Sequence, residues 1–345
     1  MGRKKKANKP PPPPPDELQA VEAACGTPAW LSADDDAVAG LLEGLERALA
    51  ALPVTAEPWP APANRGDART ALVRWAASNG CEAGPIALAA FGDDGQSAVT
   101  AHGALAPGDL VFRVPLGLLI RPATAGPVAK VAAGLDGTVA LALRLLAEKK
   151  AGAESSWGPY VDALPNSFDT PLYWSVDEVL RLRGSPAFRR ACAARAAAAR
   201  TFVLVARRCA RGDTPLGKVD YAEWRWALAA TVTRQNAVPD ENGHATLALA
   251  PLWDTCNHHA GAGSSEVSDG ALELRCGVSL RPGDEIRMDY GPRSQRDFCL
   301  HSGFVPAPSD RDGVDVDVGL DDQPLAAVLA RALDAAGVAR QPGPP

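Results

Sequence analysis

The feature that most constrains the fold is a long helical stretch that separates two β-rich segments. Short apolar runs bounded by turn residues, IALAAF at 86–91 and LVFRVP at 110–115, are typical of strands. Similar runs return at 245–252, 272–280 and 285–290. Between the two segments, VALALRLLAEKK and AFRRACAARAAAARTFVLVARRCAR place apolar residues at helical spacing. The pattern predicts an α+β protein in which a helical insertion divides the β part.

The N-terminal region is predicted to contain a tail followed by a helical segment. Residues 1–16 combine basic residues with six consecutive prolines, which favour an extended polyproline conformation, so we expect a disordered tail. A helical pattern then runs from Asp16 to Leu52, with Ser32 as a candidate N-cap, and Pro53 ends it. A linker rich in proline and alanine follows to residue 64.

Composition argues against several classes of function. The chain has no apolar run of about 18 residues, so we do not expect it to span a membrane. Its net charge of −6 provides no overall field for nucleic acid. The seven cysteines never form a CxxC pair, which argues against a disulfide framework and a zinc cluster. No apolar segment follows the basic start, so a cytoplasmic or nuclear location is expected.

The stretch PLWDTCNHH at 251–259 concentrates groups that could carry chemistry. A metal would need more ligands than His258 and His259, because adjacent side chains of an extended chain point to opposite faces. Cys256 beside a histidine base meets the same geometric difficulty, since catalytic pairs come together from separate segments. From these residues alone, the default interpretation is a buried loop whose Asn and His side chains satisfy backbone groups.

A second group of motifs changes this interpretation. The runs GDEIRMDYG at 283–291 and SQRDFCLHSGF at 294–304, together with Asn257-His258, resemble the SET-domain protein methyltransferases. SSWGPYVDALPNSFDTPLYWSVDEV at 155–179 and YAEWRWALAATVTRQNAVP at 221–239 are similar to the Rubisco large-subunit methyltransferase branch of that family. The resemblance implies a mainly β SET fold, with small sheets and a knotted core, that is α+β overall because of its helical insert.

The resemblance also implies a division of the chain. The expected parts are the tail at 1–16, an N-terminal helical segment and linker at 17–64, an N-terminal β part of the SET fold at 65–124, the helical insert at 125–220, a C-terminal SET part with the motifs at 221–305, and the start of a truncated C-terminal helical domain at 306–345.

Within that branch, TRQNAVPDENGHATLALAPLWDTCNHH at 233–259 resembles the corresponding run of the actin-histidine N-methyltransferases. Lysine-modifying relatives typically carry small and aromatic residues where this chain has Gln235-Asn236. The resemblance implies methylation of a histidine ring nitrogen of actin, with S-adenosylmethionine as the donor and no metal. The transfer requires an uncharged acceptor, and histidine, with a reference pKa near 6.5, is already mostly neutral at cellular pH.

The resemblance assigns roles to individual residues. Tyr290 and Asn236 would be catalytic, with the Asn236 amide binding one ring nitrogen so that the other faces the methyl group. Trp253, Arg293 and Gln235 would bind the substrate. The expected cofactor-binding residues are Arg65, Asp94, Gly95, Gln96, Arg234, Asp254, Thr255, Cys256, Asn257, His258, Ser302, Gly303 and Phe304.

Two alternatives stay open. The first is a lysine methyltransferase of the Rubisco-enzyme type. The second is a catalytically silent binding module with the SET fold, because Ser97 replaces the second glycine of the family's first cofactor loop. The same alternative is favoured by the expectation that the C-terminal region holds a single helix, at about 323–338.

Overall fold

The computed structural model describes residues 16–32, 34–53, 65–91, 96–212, 214–240, 242–308, 311–313 and 331. The chain forms one compact unit that ends at Asp312 and a second that begins at Gly313, and the fold given below is that of the first. The predicted disordered tail lies outside the described residues, apart from Asp16. The predicted helix at 323–338 also lies outside them, apart from Arg331.

The helices are concentrated at the N-terminus and between residues 126 and 234. They are α1 Asp16–Cys25, α2 Ala29–Ser32, α3 Asp35–Ala50, α4 Arg65–Ser78, α5 Gly126–Ala132, α6 Gly137–Ala151, α7 Gly158–Ala163, α8 Val176–Leu180, α9 Pro186–Arg211, α10 Tyr221–Arg234 and α11 Gln295–Ser302.

The strands lie on either side of the helices α5 to α10. They are β1 Glu82–Ala83, β2 Ile86–Phe91, β3 Gln96–Ala101, β4 Leu110–Pro115, β5 Asn236–Pro239, β6 Ala245–Ala248, β7 Asn257–His258, β8 Gly263–Ser268, β9 Ala271–Cys276 and β10 Glu285–Met288. The expected order of β segment, helical block and β segment is confirmed. The boundaries of the domains themselves stay a prediction.

The strands form small sheets that join the two ends of the sequence. One sheet has the order β1-β4-β9-β8, a second has the order β2-β3-β10-β7, and β5 pairs with β6 in a hairpin. In the first two sheets, strands that precede the helical block pair with strands that follow it, as in the antiparallel match of Arg113 with Glu273. Because each sheet needs both segments, the helical block is an insertion into a β framework and not a separate neighbour.

The N-terminal helical segment differs in detail from its prediction. It consists of α1, α2 and α3 instead of one continuous pattern, and Ser32 is the last residue of α2. The N-cap of α3 is Asp34, whose side chain accepts a hydrogen bond from the Ala37 backbone N–H at 2.8 Å. The prediction of Ser32 as the cap is therefore wrong, because the residue with extended backbone directly before the helix is the one that can cap it.

The long helix α9 organises the helical part. Its N-cap is Ser185 and Pro186 occupies the first turn, where a missing N–H costs nothing. α9 packs against α1, α3, α8 and α10. The buried Arg195 side chain of α9 donates to the carbonyl oxygens of Pro171 at 3.0 Å and Trp174 at 2.6 Å. α9 thereby fixes the loop between α7 and α8, which reaches the site described next.

Candidate active site

A tight turn at Leu252 positions the first part of the site. Leu252 has φ 64° and ψ −51°, which is rare for a residue with a side chain, and the Trp253 N–H donates to the Pro251 carbonyl at 2.8 Å. This is the geometry of a γ-turn, a strained conformation that persists only when its surroundings hold it. Leu252 and Trp253 are both buried, and the turn leads directly into a short 3-10 helix that includes Asp254.

Two distant segments then meet side by side. β7 pairs in parallel with β10, so that Asn257 lies opposite Arg287 and His258 opposite Met288. The Tyr290 N–H donates to Nδ1 of His258 at 3.1 Å, and the Tyr290 hydroxyl donates to the Cys256 carbonyl at 2.6 Å. The two motifs singled out in the sequence are therefore joined by hydrogen bonds at Tyr290.

Aromatic rings from the same segments form a cluster. The rings of His258 and Phe298 stack with centroids 4.5 Å apart, and Tyr290 and Phe304 lie 5.1 Å and 6.1 Å from His258. Burial lowers the pKa of His258, so the ring is neutral at cellular pH and its Nδ1 can accept the Tyr290 N–H. His259 lies outside this cluster and is exposed.

Gly303 is one of the points where the helical insertion contacts the motif region. It ends α11 in the left-handed conformation, at φ 80° and ψ 20°. A Cβ on Gly303 would lie 2.3 Å from the carbonyl oxygen of Asp169, far inside normal contact distance. The indole N–H of Trp174 in turn donates to Oδ1 of Asp169 at 2.6 Å. The loop between α7 and α8, called the insertion loop below, therefore packs directly on the backbone of the Ser302-Gly303-Phe304 run.

These elements enclose a cavity of about 1290 Å³. Its walls come from α4 and β2 on one side, from the insertion loop on another, and from the motif segments on a third. Prominent lining residues are Leu72, Leu88, Tyr160, Phe168, Tyr173, Arg234, Asp254, Thr255, Asn257, His258, Tyr290, Arg293, Phe298, Ser302, Gly303 and Phe304. The volume exceeds that of typical small-ligand sites, and the wall contains both apolar and polar groups.

A second, much narrower cavity of about 20 Å³ adjoins the first. It is lined by Val232, Thr233, Arg234, Gln235, Asn236, Trp253, Asp254, Met288, Tyr290 and Arg293. The two cavities share five lining residues, which are Thr233, Arg234, Asp254, Tyr290 and Arg293. Tyr290, Asn236 and Trp253, to which the resemblance assigned catalytic or substrate-binding roles, all line the second cavity, and Tyr290 lines the first as well.

Two polar side chains, Tyr160 and Asp254, are joined by a hydrogen bond at the junction of the two cavities. The Tyr160 hydroxyl donates to Oδ2 of Asp254 at 2.5 Å. Burial raises the pKa of Asp254 to about 6, although the charge of Arg234 and the hydrogen bond from Tyr160 act in the opposite direction. Burial also raises the pKa of the Tyr290 phenol and of the Cys256 thiol far above their usual values. At neutral pH, Tyr290 is thus a neutral phenol and Cys256 a neutral thiol.

Two polar atoms in these walls are buried without a hydrogen-bond partner among the described residues: Oε1 of Gln235 in the narrow cavity and Oγ of Ser302 in the large one. By contrast, the Asn236 side-chain N–H donates to the Arg234 carbonyl at 2.8 Å. A buried polar atom without a partner is costly, so each one marks a position where a bound group could complete the hydrogen bonding.

Most of the residues predicted for the site come together at these cavities. Arg234, Gln235, Asn236, Trp253, Asp254, Thr255, Asn257, His258, Tyr290, Arg293, Ser302, Gly303 and Phe304 line one or both of them. The side chain of Asn257 donates to Glu285 at 2.6 Å. Cys256 is buried and lines neither cavity, but its carbonyl accepts from Tyr290.

Four predicted cofactor residues lie wholly or partly outside the described structure. Asp94 and Gly95 are not described, and of Arg65 and Gln96 only the backbone is described, at the start of α4 and of β3. Ala68 and Arg69, on the next turn of α4, line the large cavity, as does Leu88 of β2.

The residues that the sequence-based prediction missed come mainly from the helical insertion. Tyr160, Phe168, Asp169 and Tyr173 line the large cavity. All four lie in the run at 155–179 that resembles the Rubisco-enzyme branch, and that resemblance was the signal by which they could have been found. Among the described residues there is no cluster of three His, Cys, Asp or Glu side chains that could hold a metal ion. No described helix is both long and apolar enough to cross a membrane.

Comparison with known proteins gives relatives over most of the chain. No family model matches it. It is 32% identical over 283 residues to proteins named actin-histidine N-methyltransferase from Otolemur garnettii, Homo sapiens and Mus musculus. Each alignment covers 77% of this chain and 47% of the relative, so the chain spans about half the length of these curated relatives.

Solved structures show that the fold is shared with SET domains. The SET domain of LSMT bound to lysine and AdoHcy superposes with a TM-score of 0.64 and 20% identity, over 81% of this chain and 66% of that one. Rubisco LSMT bound to AdoMet superposes with a TM-score of 0.61 and 20% identity, over 79% of this chain and 64% of that one.

Proposed function

We propose that this chain, which has the SET-domain methyltransferase fold predicted from its sequence, transfers a methyl group from S-adenosylmethionine to a histidine ring nitrogen of a protein. The fold rests on the superposition with LSMT, and the histidine acceptor on the 32% identity with the actin-histidine N-methyltransferases. The observation that carries the proposal is the pair of cavities that meet at Tyr290, Asp254 and Arg234. A donor and an acceptor can approach such a junction from opposite sides.

The large cavity is large enough to hold S-adenosylmethionine, and the groups that line it suit this cofactor. The unpartnered Ser302 hydroxyl offers a hydrogen bond, the Phe298 and Phe304 rings offer flat faces, and Arg234 offers a positive charge for a carboxylate. Asn257, His258 and Gly303 would hold the cofactor mainly through the backbone. When bound, the cofactor supplies an electrophilic methyl group on a sulfonium ion.

The narrow cavity suits a flat and uncharged acceptor. Trp253 and Tyr290 supply aromatic faces, and the indole N–H of Trp253 is already bonded to Oγ of Ser265 at 3.0 Å, which fixes the ring. Because the Asn236 N–H is bonded to the Arg234 carbonyl, the Asn236 oxygen is left to accept a proton donor such as a ring N–H. The other ring nitrogen then presents its lone pair.

Entry of a ring requires the narrow cavity to widen, since its present volume is close to that of one water molecule. Two lining side chains, Gln235 and Arg293, have several rotatable bonds and can move aside. The unpartnered Oε1 of Gln235 would gain a hydrogen bond from a donor that enters. We therefore propose that Gln235 and Arg293 contact the substrate.

The protein substrate that we propose is actin, as in the names of the relatives. We also propose a cytoplasmic or nuclear location. A second candidate is lysine methylation, which is favoured by the structural likeness to LSMT bound to lysine. Both activities use the same donor cavity, and they differ in what the narrow cavity admits.

The experiment that separates them uses paired peptides. The protein is incubated with labelled S-adenosylmethionine and with actin peptides that carry either histidine or lysine at the acceptor position. We expect label on histidine alone. Label on lysine alone would replace the proposal with the second candidate. Absence of label on both, together with no heat of binding for S-adenosylhomocysteine in calorimetry, would favour a silent binding module.

A further inference from the structure

The helical insertion contributes one polar atom to the junction of the two cavities. Tyr160 lies on α7, is 1% exposed, and its hydroxyl donates to Oδ2 of Asp254. The two residues are separated by 94 positions in the sequence, so the contact depends on how the insertion packs on the β framework. Asp254 is the residue through which this contact reaches both cavities, because it lines each of them.

Opposing effects determine whether Asp254 is ionised. Burial favours its neutral form, whereas the positive charge of Arg234 and the hydrogen bond from Tyr160 favour the carboxylate. Among the described residues, Tyr290 and Cys256 are further titratable groups that interact with Asp254, and burial keeps both neutral at cellular pH. Removal of the Tyr160 hydroxyl would therefore shift the balance toward the protonated acid.

We propose that Tyr160 is a positioning residue that keeps Asp254 ionised and directed into the junction, where the carboxylate stabilises the positive charge as it moves from donor to acceptor. The proposal rests on the proposed function and deepens it, since it assigns a role to the insertion in the reaction itself. Nothing in the motif resemblance assigned a role to Tyr160.

The charge movement follows from the chemistry of the transfer. The lone pair of the ring nitrogen forms the new bond to the methyl carbon, and the electron pair of the broken C–S bond stays on sulfur. One positive charge thus leaves sulfur and appears on the ring, which becomes an imidazolium and later loses its N–H proton to water. A carboxylate fixed at the junction remains close to that charge throughout, and a preorganised group of this kind acts without reorganisation during the step.

The arrangement also explains why both side chains need each other. A phenol hydroxyl buried without an acceptor would be costly, and so would a buried carboxylate without a donor. Burial and the neighbouring Asp254 charge raise the pKa of Tyr160 well above its usual value, so that the phenol stays protonated and can donate throughout the working pH range. The pair therefore persists as a phenol that donates and a carboxylate that accepts.

The test compares Tyr160→Phe with the unaltered protein and with Tyr221→Phe. Tyr221 is a matched control because it is another tyrosine whose pKa is raised by burial, to about 12. It lies at the first residue of α10, packs against Phe202 of α9, and lines neither cavity. Methyl transfer to the histidine peptide is measured from pH 5.5 to 8.5 at saturating cofactor. Protonation of the acceptor histidine also lowers the rate at acid pH, and this effect is the same for all three proteins.

We expect the turnover number to fall at acid pH as Asp254 becomes protonated. In Tyr160→Phe this fall should lie about one pH unit higher, because a hydrogen bond to a charged acceptor is lost. The turnover number would then fall about fivefold at pH 6 and change little at pH 8. The Tyr221→Phe profile should overlay that of the unaltered protein. Asp254→Asn should remove the part of the pH dependence that comes from Asp254 and should lower the turnover number at every pH.

A second measurement does not depend on activity. Carboxyl carbon NMR of protein labelled at aspartate identifies Asp254 as the resonance missing in Asp254→Asn, and its titration midpoint should be near 6 and higher in Tyr160→Phe. If the unaltered protein methylates the peptide but neither the profile nor the midpoint moves in Tyr160→Phe, this inference is wrong and the proposed function stands. If the unaltered protein transfers no methyl group, the proposed function is wrong, and the midpoints alone decide whether Tyr160 controls the ionisation of Asp254.

Discussion

Replacement of Gly303 by alanine tests whether the insertion loop closes the large cavity. Gly303 adopts φ 80°, and its missing Cβ would lie 2.3 Å from the Asp169 carbonyl oxygen and 2.8 Å from the carbonyl carbon. These are backbone atoms, so no side-chain rotation can relieve the overlap. Either the end of α11 or the loop held by Arg195 must move by about 1 Å to restore normal contact.

The expected magnitude has two parts. An alanine in the left-handed region costs about 1–2 kcal/mol. Overpacking against a fixed backbone adds about 1–3 kcal/mol. Gly303→Ala should therefore lower the free energy of unfolding by about 2–5 kcal/mol. Because the displaced segments both line the large cavity, we also expect the affinity for S-adenosylhomocysteine to fall at least about tenfold, the effect of roughly 1.4 kcal/mol.

Gly184→Ala is the matched control. Gly184 has the same φ of 80°, but no atom lies within 4 Å of the position that a Cβ would occupy there, so only the backbone cost of about 1–2 kcal/mol applies. Urea unfolding gives the free energies, and calorimetry gives the affinities. Equal destabilisation by the two substitutions, or an unchanged affinity in Gly303→Ala, would refute the close contact between the insertion loop and the cavity.

Three further substitutions test the polar groups of the site. Asp254→Asn should stabilise the protein at pH 7.5 by up to about 3 kcal/mol, because the folded-state pKa is raised from 3.8 to about 6 and the ionised form is therefore disfavoured by folding. This gain should disappear below pH 4 in thermal unfolding, and a loss of stability at pH 7.5 would contradict it. Ser302→Ala should weaken S-adenosylhomocysteine binding about fivefold to tenfold in calorimetry. The free protein should not be destabilised, since the hydroxyl has no partner among the described residues. Unchanged affinity would place Ser302 outside the cofactor site. Asn236→Phe should shift methylation from histidine toward lysine peptides, as measured by mass spectrometry, and an unchanged ratio of the two products would remove Asn236 from the choice of acceptor.

The elements of the fold were predictable where the sequence pattern is strictly local. IALAAF was predicted as a strand and is β2, and the alanine-rich run predicted as a long helix is α9. The cap of α3 was not predictable in the same way, because Ser32, Asp34, Asp35 and Asp36 all carry side chains that can cap. The choice of Asp34 depends on which residue has extended backbone next to the first helical one.

The site shows the same limit over longer distances. Tyr290 and Asn257 belong to compact motifs, and a resemblance located them. Tyr160 and Asp169 lie in the insertion, and their importance depends on how α7 and its following loop pack against Asp254 and Gly303. Such contacts arise from tertiary packing between segments far apart in the chain, which neither periodicity nor spacing encodes.

The junction of the two cavities was partly predictable. The resemblance assigned catalytic or substrate-binding roles to Tyr290, Trp253 and Asn236, and all three line the narrow cavity. The strain at Leu252, which orients Trp253 and Asp254, has no signal in the sequence, because leucine rarely adopts a positive φ. Leu252 and Trp253 are both buried, and a strained turn of this kind persists only where the surrounding packing holds it.

The most direct test of the whole account is a crystal structure of the protein with S-adenosylhomocysteine and an actin peptide that contains the acceptor histidine. We predict that the adenosyl group lies in the large cavity, that the imidazole lies between Trp253 and Tyr290, and that one ring nitrogen faces the sulfur across a gap that fits a single methyl group. An imidazole bound outside the narrow cavity, or an adenosyl group that does not contact Ser302 and Phe304, would contradict the account.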